Sequence, residues 1–149
     1  MWTALWIAGS KTLMKPETHG LLDTNILILR RQLDHARLPD TMSISAVTLA
    51  ELSAGPHHTD DPAERARRLD VLQRAESEFE PLPFDAEAAR AFGRVVAAEL
   101  SAGRKPRART ADLMIASIAI GNHLPLYTTN PDDFVGLEPL MTVVAVPLP

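Results

Sequence analysis

The chain has 149 residues, 46% hydrophobic and 23% charged, a balance that supports one folded domain with a substantial core. The absence of cysteine excludes disulfides, thiolate chemistry and a cysteine-based zinc site. A formal charge of -4 offers nucleic acid no overall attraction, yet it leaves room for a local basic path and for carboxylates that gather hard cations.

Residues 1–19 stand apart. Met1–Ala8 is apolar and carries Trp2 and Trp6, but Met14-Lys15-Pro16-Glu17-Thr18-His19 interrupts it. The apolar part is too short to span a membrane and has neither a basic n-region nor a clear cleavage signal. An upstream extension or an expression remnant fits it, packing on the surface through the two tryptophans. Residues 20–149 are expected to form the domain. No apolar run approaches a membrane span, and a cytoplasmic location is expected.

In Gly20-Leu21-Leu22-Asp23-Thr24-Asn25-Ile26-Leu27-Ile28, apolar residues lead straight into an acid. Gly20–Asp23 reads as a short buried strand and Asn25–Ala36 as a helix, with Thr24 or Asn25 as its N-cap. Ile26, Leu27, Leu29 and Leu33 would cover the inner face, with Arg30 and Arg31 at its edge. Asp23 then stands at the carboxyl edge of a strand, where open α/β sheets build sites, although an isolated acid there reads equally well as a helix cap.

Met42–Ser45 is a plausible second strand, and a helix starts near Ala46 or Thr48 and stops at Gly55-Pro56. His57-His58 falls in a polar loop without the spacing of a metal-binding helix. Asp60–Phe79 opens as a loop and continues as a helix with Ala66, Leu69, Leu72, Ala75 and Phe79 at helical spacing. Its Arg65, Arg67, Arg68 and Arg74 read as a solvated face. After Pro81 and Pro83, Asp85–Leu100 forms the next helix, with Ala88, Ala89, Phe92, Val95 and Val96 inward. Arg104, Lys105, Arg107 and Arg109 crowd the following turn.

Thr110–Ile120 is apolar on nearly every side after its first turn, so it should be centrally buried or packed on a partner subunit. Leu124–Thr129 gives a third strand, Asn130–Phe134 a short turn or helix, and Met141–Val146 a last strand. Strands alternating with helices predict an α/β fold, a three-layer sandwich around a mostly parallel sheet.

Three further polar landmarks accompany Asp23. Thr48-x-x-Glu51 has the spacing of a capping box, with the glutamate reaching back to the Thr48 amide. Asp112 suits a helix first turn, yet it opens an intensely apolar helix, where an acid is costly unless paired or metal-bound. In Thr128-Thr129-Asn130-Pro131-Asp132-Asp133-Phe134, Asn130 can cap and Asp133 can close a capping box, but the segment also reaches the crevice end of a strand. Four such junctions can converge in space.

Taken in order, Leu22-Asp23-Thr24-Asn25, Thr48-Leu49-Ala50-Glu51-Leu52, Ala111-Asp112-Leu113-Met114-Ile115-Ala116 and Thr128-Thr129-Asn130-Pro131-Asp132-Asp133-Phe134 resemble the PIN-domain family. Within it, the similarity is greatest to the VapC toxins of bacterial type II toxin–antitoxin systems, over about residues 20–146. The resemblance implies a compact α/β ribonuclease that uses magnesium or manganese, forms a homodimer and is inhibited by a small antitoxin. Asp23, Glu51 and Asp112 match the first three acidic positions, and Asn130 and Asp133 are alternatives for the fourth. Asp23 and Asp112 are then the foremost metal ligands, Glu51 ligates a second ion or orients water, and Thr128 or Asn130 supports the shell. Carboxylates can hold one or two divalent ions while leaving positions open for water and phosphate. Arg104, Lys105, Arg107 and Arg109 are expected to contact the RNA backbone beside Asp112. A metal-dependent DNA nuclease or phosphatase, and a non-enzymatic helical interaction module whose acids are caps, are the alternatives.

Overall fold

The structure, a computed structural model, describes residues 17–149, so the expected packing of Trp2 and Trp6 lies outside the described residues. Four parallel strands, β1 (His19–Leu22), β2 (Thr41–Ser43), β3 (Leu126–Thr128) and β4 (Val143–Ala145), form one sheet in the order β2-β1-β3-β4. Among the described residues, five α-helices connect them: α1 (Thr24–Leu29), α2 (Ala46–Ala54), α3 (Pro62–Glu78), α4 (Ala86–Ser101) and α5 (Thr110–Gly121). β2 lies on one side of β1, and the long return through α2 to α5 brings β3 in on the other. The strand order therefore reverses between β1 and β3, where a crevice opens at the carboxyl ends.

A parallel sheet must be covered on both faces, and strand alternation divides the core accordingly. Leu21, Leu126 and Val143 join Ala88, Val95, Leu113 and Ile118 beneath α4 and α5. Leu22, Tyr127 and Val144 join Ile26, Val71 and Ala75 beneath α1 and α3. The three-layer sandwich follows. The apolarity of α5 is accounted for within the one chain, because Leu113, Ile115, Ala116, Ser117, Ile118 and Ala119 are all buried there.

Several elements differ from expectation. The N-cap of α1 is Asp23, not Thr24 or Asn25, because its carboxylate accepts from the Thr24 amide. That helix ends at Leu29 rather than Ala36, and two 3-10 turns follow, Arg30–Gln32 and His35–Arg37. The Asp34 side chain takes the Ala36 amide, a local bond that competes with helix continuation. α2 ends at Ala54, so it stops at Gly55-Pro56 as expected, and a 3-10 turn follows from Gly55 to His58. Between Pro81 and Pro83, Leu82 pairs with the chain after β2: its amide donates to the Ile44 carbonyl at 2.9 Å, and its carbonyl accepts from Ala46 at 2.8 Å.

On α3 the expected stripe is only half correct. Ala75 is buried and Leu72 and Phe79 partly so, but Ala66 and Leu69 face solvent. Steps of three residues drift around the helix by about 60° each, so Ala66 and Leu69 leave the face that Ala75 occupies. The first turns of α3 rest on the Gly55–His58 turn through polar bonds, Arg65 Nε to the Pro56 carbonyl and Arg68 Nη1 to the Gly55 carbonyl. On α4, Ala89 is exposed and the inward stripe runs through Ala88, Ala91, Val95 and Glu99.

Gly20 is where β1 can least tolerate a side chain. A Cβ there would fall 2.3 Å from the ring of Tyr127 on the neighbouring strand. Gly20→Ala should lower stability by about 1–3 kcal/mol through displacement of that buried ring. Urea unfolding checks this, and an unchanged midpoint and slope would refute the close-packing account.

Candidate active site

The carboxyl ends of β1 and β3 set the first two side chains. Leu22 pairs with Tyr127, and the Asp23 amide continues the ladder to the Tyr127 carbonyl at 2.9 Å. Asp23 and Thr128 are thereby brought side by side. The Thr128 hydroxyl donates to Asp23 Oδ2 at 2.8 Å, and the Thr24 amide donates to Oδ1 at 2.9 Å. Thr128 Oγ1 accepts from the Asn130 amide at 3.0 Å, which fixes its rotamer. Asp23 is 4% exposed, so its carboxylate is nearly immobilised.

Glu51 does not close a capping box. Ser45 is the N-cap of α2, and its hydroxyl oxygen accepts from the Thr48 amide at 3.0 Å. That places Glu51 beyond the first turn, with its carboxylate directed to another helix. Thr24 Oγ1 donates to Glu51 Oε1 at 2.7 Å and lies 2.9 Å from Thr48 Oγ1. Since the single Thr24 hydroxyl proton goes to the carboxylate, the Thr48 hydroxyl must donate to Thr24. Thr24 and Thr48 thus hold one oxygen of Glu51 through a short hydroxyl chain. Local sequence spacing assigns neither of them this role.

Asp112 lies in the first turn of α5, whose N-terminus carries no side-chain cap bond. Asn130 likewise makes no cap bond to the 3-10 turn Pro131–Phe134. Asp23, Glu51, Asp112 and Asp133 all line one cavity of about 1020 Å³, whereas Asn130 does not. Four acids from separate segments therefore share a crevice at the switch point of the sheet.

The electrostatics follow from that crowding. Burial pushes the Asp23 carboxyl up, against the stabilising bonds from Thr128 and Thr24, and the charges of Glu51 and Asp133 push it further. Asp112 is pushed up to about 6, first by burial and then by Asp23, Asp133 and Glu51, with Arg109 opposing. Mutual repulsion holds such acids apart until a cation neutralises them. Among the described residues, no three acidic or imidazole side chains stand close enough to enclose an ion as they are. An all-oxygen, multiply charged donor set without sulfur suits a hard divalent ion, and the raised Asp112 pKa is the cost that such an ion would relieve.

Five arginines among the residues that line the same cavity form its basic wall, with Glu64, Asp70 and Glu78 beside them. Arg30 and Arg31 follow α1, and Arg67, Arg68 and Arg74 come from α3. Arg30 pairs with Glu78, Arg67 and Arg68 share Glu64, and Arg74 pairs with Asp70. Arg31 is exposed and takes part in no salt bridge among the described residues. The α3 arginines, expected as a solvated face, are largely exposed, and Arg67, Arg68 and Arg74 also converge on the cavity that Arg30 and Arg31 line. That convergence depends on packing between segments more than thirty residues apart, a relation that no local spacing carries. Arg104, Lys105, Arg107 and Arg109 do not line this cavity.

Known proteins share this sequence pattern and fold. A family model described as PIN domain matches residues 20–137. Ribonuclease VapC5 of Mycobacterium tuberculosis (strain ATCC 25618 / H37Rv) is 39% identical over 122 residues, covering 80% of this chain and 87% of that protein. Ribonuclease VapC8 of Mycobacterium tuberculosis (strain CDC 1551 / Oshkosh) is 33% identical over 101 residues, 67% of this chain and 89% of that one. The crystal structure of VapBC-5, a toxin–antitoxin system of Mycobacterium tuberculosis, superposes with a TM-score of 0.76 at 36% identity, covering 88% of this chain and 99% of that chain. DNA-bound VapBC from Salmonella typhimurium superposes with a TM-score of 0.65 at 28% identity, covering 85% and 96%.

The raised Asp112 pKa fixes the sign of a pH dependence. The folded chain binds this proton at about 6 against an ordinary 3.8, so ionised Asp112 opposes folding above pH 6 and the penalty fades as pH falls toward 3.8. With divalent ions chelated, Asp112→Asn should be about 1–2 kcal/mol more stable than the parent near pH ~7.5, allowing for solvent screening. The difference should shrink near pH ~4.5. Urea midpoints at the two pH values measure it, and a variant that is less stable at the higher pH would contradict the crowding account.

Proposed function

The chain belongs to the PIN-domain family, and from that premise we propose that it is a divalent-metal-dependent endoribonuclease acting as the toxin of a toxin–antitoxin pair. The observation that carries this reading is the convergence of Asp23, Glu51, Asp112 and Asp133 on one crevice. Its relatives are named ribonucleases, and solved structures similar to it are toxin–antitoxin complexes, which supports an antitoxin as partner.

A magnesium or manganese ion among these carboxylates would polarise the scissile phosphate and acidify the attacking water. Asp23 and Asp112 are its foremost ligands. Asp23 is preorganised by Thr128 and Thr24, so little ordering remains to be done on binding. Glu51, held at Oε1 by Thr24, keeps Oε2 to orient a water or to ligate a second ion. Asp133 takes the fourth acidic position in preference to Asn130, because Asp133 lines the cavity and raises both Asp23 and Asp112. The reading of the acids as mere caps accounts only for Asp23, which caps α1 with one oxygen and gives the other to Thr128.

The basic wall suits an RNA backbone: Arg31, outside any salt bridge among the described residues, and Arg67 and Arg74, which would exchange their carboxylate partners for phosphates, are its candidate contacts, and Arg104, Lys105 and Arg107, in the turn before α5 and outside this cavity, are further ones. The homodimer and a cytoplasmic location rest on the family resemblance. Among the described residues, no helix is long and apolar enough to cross a membrane.

Asp23→Asn and Asp112→Asn should each lower magnesium-dependent RNA cleavage by about 100-fold or more while the protein stays folded. Parallel assays on RNA, DNA and a small phosphate ester, with metal-binding calorimetry, test this. Near-parental cleavage and metal affinity in both variants would sink the site assignment, and preference for DNA or the ester would redirect the activity.

Neutralising Arg31 and Arg67 together should weaken RNA binding and reduce the slope of log affinity against log salt by about 0.7 for each phosphate that is no longer neutralised. The same titration on an Arg104, Lys105 and Arg107 triple variant shows how much the turn adds. An unchanged slope in the first variant would remove the basic wall from the RNA path.

A further inference from the structure

Glu99 is the buried charge that the acidic crevice does not use. It lies one turn beyond Val95 on the inward stripe of α4, with its side chain wholly buried. Neither of its carboxylate oxygens has a hydrogen-bond partner among the described residues. The cation facing it is Arg109, whose Nη1 stands 3.6 Å from Glu99 Oε2 and whose side chain is 19% exposed. The buried Nη2 of Arg109 also lacks a hydrogen bond. A buried pair of this kind is a poor source of stability, since well-packed apolar residues usually do as well. What it supplies is a fixed relation between two elements.

Those elements are α4 and α5, and Asp112 is carried on the first turn of α5. The Glu99 carbonyl accepts from the Arg104 amide at 2.9 Å, and the Glu99 carboxylate meets Arg109, so one residue ties both ends of the basic turn. Arg109 is the N-cap residue of α5 and makes no side-chain cap bond, so the start of this helix has no conventional anchor. At the far end, a Cβ on Gly121 would lie 3.1 Å from the Ala88 backbone nitrogen, which marks the closest approach of the two helices there. From Ala88 to Glu99 and from Gly121 to Arg109 the helices rise by nearly the same length, about 17 Å. A close backbone approach at one end and an ion pair at the other therefore limit how far α5 can slide along α4. Asp112 lies three residues from the second fixed point, close enough for its carboxyl to feel the charge of Arg109.

We propose that Glu99 is a positioning residue: through Arg109 it sets the axial register of α5 on α4 and so holds Asp112 in place opposite Asp23. This rests on the reading of those acids as ligands of a divalent ion. Glu99 touches neither ion nor substrate, and its effect passes through the helix.

Manganese affinity, measured by calorimetry on the full chain without RNA, is the test, because it does not depend on how the chain grips a phosphate. Glu99→Gln, Arg109→Gln and the double variant should each bind manganese about 10-fold or more weakly, the loss typical of residues that orient metal ligands. Arg109→Lys, which keeps the charge, should recover most of the affinity. Thermal unfolding runs beside each measurement. The double variant strands no charge and should melt near the parent, which separates positioning from misfolding. Parental affinity in the single variants, or its return in the double variant together with stability, would overturn the proposal and leave the pair a purely structural feature. A parent chain that binds no manganese would instead overturn the ligand reading, and the inference with it.

Discussion

Crowding of negative charge at the carboxyl edge of a buried parallel sheet is the constraint on which this molecule turns. Asp23 cannot move away from it. Its strand is bracketed by β2 and β3, its amide is in the ladder to Tyr127, and both of its oxygens are already bonded. A carboxylate with 4% exposure is tolerable because those bonds replace part of the water it has lost. The other three acids then arrive on segments that fold around this immobile one. Thr24 couples two of them directly, since its amide serves Asp23 and its hydroxyl serves Glu51.

Much of this was legible in the sequence, for reasons that differ by element. The strands announce themselves as short apolar runs beside turn residues, and α5 announces itself by being apolar all round, since each signal is carried by neighbouring residues. Glu51 was misleading because the capping-box spacing is local, whereas the residue that caps α2 is Ser45, three positions upstream of Thr48. The basic wall was invisible because Arg31 and Arg74 belong to different segments, and only the packing of α1 beside α3 makes them one surface. Glu99 had a usable signal, since Ala88, Ala91 and Val95 already define an inward stripe that the next turn extends to it. The inward stripe expected from the sequence ended at Val96 and did not reach Glu99, whose charge speaks against burial, while the apolar Leu100 beside it is 61% exposed.

The same physics bears on the deep burial of α5. Asp112 is repelled by Asp23, Asp133 and Glu51, and only Arg109 offsets them. A helix beginning with such a residue is pushed away from the crevice, and a solvent-exposed helix end would yield by fraying. Here Leu113, the next residue, is fully buried, as are Ile115 and Ile118 further along, so any outward shift would expose core. The cost at the first turn is thus set against burial along the rest of the helix. The apolarity that suggested a subunit interface has a sufficient cause inside the chain. An ion binding to the acids stabilises the folded state by mass action, since the unfolded chain has no such constellation. Folding builds the repulsion, and the rigidity of α5 preserves it until a cation can convert it into affinity.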